Sequence, residues 1–192
     1  MKTTTSTFLI AMSLAALVSC KKESALVNTS NNYDANESGI TDPFYPTNGC
    51  VPTTVSLIAG QHIDAGTVTV SNDASFIYVT YTSANGYLIK ETHLYVGNCE
   101  AVPVNKKGNP APGQFPYTSS HDYATSYTYA VPIAAIGMGN CGCIAAHASL
   151  VKRDASGKEV GSQTGWGNGT SINPDNGGWA MKFAYCTCVG GE

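Results

Sequence analysis

No segment of this chain sustains a helical hydrophobic period over ten or more residues, so nothing in it supports a helical or mixed α/β fold. After Val18 no apolar run is long enough to enter a bilayer. Basic residues never cluster. Lys106-Lys107 and Lys152-Arg153 are isolated pairs, which excludes the basic face that a nucleic-acid partner requires. A Gly-x-Ser-x-Gly elbow, a His-Glu-x-x-His helix and a phosphate-binding glycine loop are all missing, as is any internal repeat.

What the chain does have begins with an address. Lys2 followed by Phe8–Val18 reads as the positive and apolar regions of an export signal. Leu17-Val18-Ser19-Cys20 resembles a bacterial lipobox, which implies a signal peptide over 1–19 and lipidation of Cys20. Residues 20–48 read as a flexible tether, rich in Asn, Ser, Thr and Glu and poor in groups to bury. The expected location is the outer membrane or cell surface, with the lipid as the only membrane contact. Without residues 1–19, nine basic residues face thirteen acidic ones, a formal charge of about −4.

Six further cysteines remain: Cys50, Cys99, Cys141, Cys143, Cys186 and Cys188. An even number in an exported chain points to three disulfides rather than to a zinc site. Residues 49–192 form the domain. Short runs rich in β-branched and aromatic residues alternate with turns such as Asn72-Asp73, Asn85-Gly86 and Asp154–Gly157. About eight strands predict an all-β fold, an antiparallel β-sandwich of Ig-like or jelly-roll kind. Residues 100–120, with four prolines, read as a long loop, and Gly165–Gly178 as a second, glycine-rich excursion.

Alternation assigns faces. Ile144, Ala146, Ala148 and Leu150 form a core face, with Cys143, Ala145, His147 and Ser149 opposite. Leu88, Leu94 and Val96 share a face, leaving Ile89, Glu91, His93 and Tyr95 on the other. Trp179, Met181, Phe183 and Tyr185 form a buried set. One register places Cys143 opposite Cys186 and Cys141 opposite Cys188, leaving Cys50 to pair with Cys99. A competing layout ties Cys50 to Cys188.

Candidate chemistry is sparse. Glu91, His93 and His147 make a metal or acid–base cluster if their strands adjoin. Asp175, in Asn173–Gly178, is a single carboxylate for a weak calcium site. Trp166, Tyr95 and Tyr117 suit stacking on sugars or a partner surface.

Taken together, Glu91–Gly97, Gly113–Tyr117, Ala145–Ala148, Trp166-Gly167 and Gly178–Met181 resemble a widespread exported bacterial domain found in Bacteroidetes lipoproteins and other surface proteins. The resemblance covers about residues 50–188 and implies a secreted β-rich domain without an established activity. Where relatives carry Thr-Ala-Trp-Gly, this chain has Thr164-Gly165-Trp166-Gly167, a departure expected to loosen the loop that holds Trp166. The functional expectation is non-enzymatic, a surface domain binding glycan or another extracellular polymer or protein. The alternatives are a self-assembling subunit of a fibre or layer, and a hydrolase or metal-dependent enzyme using Glu91, His93 and His147.

Overall fold

The computed structural model describes residues 51–188. The stretches read as signal peptide and tether, with Cys20 and Cys50, lie outside the described residues. The fold is all-β and antiparallel, as expected, and it is built as one continuous sheet. Its strands are β1 (Thr53–Ala59), β2 (Ile63–Asn72), β3 (Phe76–Ser83), β4 (Tyr87–Gly97), β5 (Tyr117–Ala124), β6 (Ser126–Pro132), β7 (Cys141–Arg153), β8 (Glu159–Gly167), β9 (Thr170–Ser171) and β10 (Met181–Cys186).

The sheet runs β5-β4-β7-β8-β1-β2-β3-β6, so its two edges are consecutive strands joined at Thr125. That connection brings the edges together and curls the sheet into a nearly closed barrel. Side chains bridge the seam: Tyr129 on β6 donates to the Thr92 carbonyl on β4 at 3.1 Å, and the Tyr117 and Tyr129 rings lie 6.3 Å apart. Inside, alternate residues of every long strand pack together. Val68 and Val70, Ile77, Val79 and Tyr81, Leu94, Ile144 and Leu150 are all essentially inaccessible, each burial contributing about 1.5–3 kcal/mol. At the β3–β4 hairpin, Asn85 and Gly86 both take positive φ, as the expected tight turn requires.

Three expectations need correction. β5 occupies part of the stretch read as loop, because Thr118-Ser119-Ser120-His121-Asp122 has no apolar alternation to reveal an edge strand. Gly165–Gly167 belongs to β8, so the excursion starts only at Asn168. On β4 the register shifts between Ile89 and Glu91. This bulge inverts the alternation, so Ile89 is fully buried beside Leu94 instead of lying opposite it.

The cysteine register slides by two residues. Cys141 stands opposite Cys186 and bonds to it, while Cys143 bonds to Cys99. Gly97 pairs with Cys143, so Cys99, two residues on, lies within reach of its thiol and bonds to it. Cys188 is disulfide-bonded as well. Asn72, 1% exposed, holds the backbone of Cys188 in both directions, accepting from its N–H and donating to its carbonyl, each at 2.9 Å.

Candidate functional site

β7 is the centre of the site because it is covered on both faces. Ile144, Ala146 and Ala148 point into the main core, while Ala145 and His147 lie beneath a second apolar cluster on the outer face. That cluster joins Tyr95, Val102, Phe115, Ala145, Trp166 and Ala180, with Ile172, Trp179 and Met181 packed against it. The small Ala145 and Ala180 leave room for the large rings. Each of the segments Glu91–Gly97, Gly113–Tyr117, Ala145–Ala148, Trp166-Gly167 and Gly178–Met181 contributes at least one residue to this outer core.

Consequently the three aromatic candidates are not a stacking platform. Trp166 is 4% exposed, its ring set edge-on to His147 at 4.9 Å and to Phe115 at 6.3 Å. Tyr95 is buried, its hydroxyl donating to the Asn98 carbonyl at 2.7 Å, and Tyr117 packs inward on the main core. Gly165 does not loosen the tryptophan, because it lies within β8, where a side-chain carbon would meet Leu150 at 2.9 Å. Trp179 and Met181 are half-buried against the outer cluster, unlike Phe183 and Tyr185, which enter the main core.

Glu91, His93 and His147 do come together. His93 and His147 are direct partners across β4 and β7, with Nδ1 atoms 3.1 Å apart. Glu91 Oε1 stands 3.4 Å from His93 Nε2. A carboxylate there favours a proton on Nε2, which makes the neutral His93 Nδ1 an acceptor for Nδ1–H of His147. One proton lies between the two Nδ1 atoms. Burial, followed by the neighbouring His93, pushes the His147 pKa down to about 4. Glu91, His93, His147 and Trp166 thus form a linear chain across three strands rather than a ring around one point. Among the described residues, no group of three or more His, Cys, Asp or Glu is arranged to hold a metal ion.

Beside this chain runs a polar groove of about 830 Å³, within the range of about 300–1,000 Å³ common to small-molecule sites. Ser149 lies on its floor, flanked by Glu91 on β4 and Thr164 on β8, its register partners. Ser120 and His121 line the β5 side and Ser162 the β8 side. A strap crosses β7 at one end, where Lys90 Nζ meets Glu159 Oε1 at 2.9 Å and Tyr123 donates to the same oxygen at 2.7 Å. These contacts hold the Glu159 carboxyl below its usual pKa, the Tyr123 hydrogen bond most of all.

Sequence reasoning found Glu91 and missed the rest of the lining. The available signal was the outward row Ser162, Thr164 and Ser149, hydroxyls where a solvated strand face would more often carry charge. His121 was also passed over. Its Nε2 is 2.9 Å from the Thr92 hydroxyl, and burial lowers its pKa while the Glu91 charge opposes the shift. Asp175 sits exposed on a 3-10 turn, Pro174–Asn176, closed by Gly177 in the left-handed conformation. Comparisons with family models, curated proteins and solved structures yield no match to this chain.

Proposed function

We propose that the chain is an exported, lipid-anchored surface domain that binds a hydroxyl-rich ligand, a glycan, in the groove across β4, β7 and β8. The single observation carrying this reading is the groove's lining, in which serine and threonine hydroxyls, an amide and a carboxylate face one open cleft. Such groups exchange hydrogen bonds with sugar hydroxyls at little desolvation cost. Pairing of β7 with β4 on one side and β8 on the other fixes the strands that carry these groups, so little conformational entropy is lost on binding. The lipobox and the resemblance to exported surface domains support the address. The test is a glycan array with residues 49–192. Binding that Thr164→Trp abolishes without altering the circular dichroism supports the reading, and an array blank at all concentrations overturns it.

Convergence of Glu91, His93 and His147 favours a second reading, general acid–base catalysis on a bound glycan. Cleavage products from ligands found on the array, lost in His93→Gln, would establish it.

A further inference from the structure

The groove carries more information about its ligand than its hydroxyls alone. Its charges do not balance. Lys90 and Glu159 neutralise each other at 2.9 Å, which leaves Glu91 as the remaining carboxylate of the lining. The group nearest to Glu91 is the titratable His93 ring, whose Nε2 stands 3.4 Å from Oε1, and apart from the Lys90 already paired with Glu159 none of the lining residues is a fixed cation. His121 is held neutral by burial. His147, on the far side of His93, is also held neutral by burial, and it shares a single proton with that ring. The register partners of Glu91 are Ser120 on β5 and Ser149 on β7, both uncharged. The Glu91 side chain keeps 45% of its surface open to solvent, so an incoming group can reach it.

Deepening the glycan reading on which it rests, we propose that the groove selects sugars bearing a free ammonium group, seated on Glu91 with hydroxyls on Ser149, Ser162 and Thr164. The arrangement discriminates by chemistry. An ammonium donates up to three hydrogen bonds and meets the unbalanced charge, whereas the N-acetylated sugar loses the charge and brings a bulkier group to the same place. A carboxylated or sulfated sugar is repelled by Glu91.

The experiment is titration calorimetry on residues 49–192 with short oligosaccharides of glucosamine, their N-acetylated counterparts, and neutral glucose oligosaccharides of equal length. The expected result is preferential binding of the glucosamine series. Glu91→Gln should weaken that binding about tenfold, the equivalent of one partly exposed ion pair with hydrogen bonding. Glu100→Gln, an exposed carboxylate outside the groove, controls for unspecific attraction of polycations and should leave it unchanged. Equal affinity for all three series, or insensitivity to Glu91→Gln, overturns the amino-sugar inference and leaves the glycan groove standing. Equal weakening by Glu100→Gln overturns it too. No binding in any series, with a blank glycan array, removes both.

Discussion

His93 and His147 face each other across β4 and β7 with their Nδ1 atoms 3.1 Å apart, one ring keeping 12% of its side-chain surface open and the other buried beneath Trp166. Burial, and then the neighbouring His93 ring, keep a second proton off His147. Above pH 6.5 His147 is neutral in folded and unfolded chains alike. As pH falls from there toward about 4, the unfolded chain gains a proton that the folded chain excludes. Unfolding free energy should therefore drop by up to roughly 3 kcal/mol across that window. His147→Gln should flatten the slope between pH 6.5 and 4.5 in denaturant titrations. An unchanged slope would mean that the ring is charged in the native state.

Trp166→Ala should destabilise the domain by about 3–5 kcal/mol, as large-to-small changes in a packed core do. In Trp179→Phe, which leaves Trp166 as the remaining tryptophan, emission should be blue-shifted and resistant to iodide. A red emission readily quenched would place the ring at the surface.

These two residues mark the boundary of what the sequence discloses. Alternation correctly put His147 and Ala145 on the face away from the main core, but it could not tell that this face is covered, because the cover comes from Phe115, Val102 and Ala180 in loops with no periodic pattern. The same limit hid β5, whose hydroxyl-rich edge resembles loop. On β4 the alternation was readable yet interrupted, since no residue type signals the bulge that turns Ile89 inward. Glu91, His93 and His147 were legible as chemistry, and only the register of β4 on β7 brings them into contact.

Non-reducing peptide mapping should recover Cys99 with Cys143 and Cys141 with Cys186. Replacing Cys141 and Cys186 together by serine should cost about 2–4 kcal/mol, since the bridge closes a long loop in the unfolded chain. Recovery of a peptide joining Cys143 to Cys186 would overturn this register.

Gly66 pairs with Ser83 at φ +135°, and a side-chain carbon there would overlap the Thr82 carbonyl oxygen. Gly66→Ala should lower stability by about 1–3 kcal/mol from backbone strain, more if the hairpin is pushed apart. Gly86→Ala, with open space around it, should cost less. Equal melting temperatures for the two variants would contradict the close packing at Gly66.

β7 is hydrogen-bonded along one side by β4, while the other is shared by β8 and β10. β10 also brings the residues that Asn72 holds. The order of assembly follows from this. β1 to β4 can collapse early, but the central strand has no complete set of neighbours until β10 arrives. A chain delivered amino end first must complete Met181–Cys186 before it locks, so deleting that strand should stall folding far more severely than its short length would suggest.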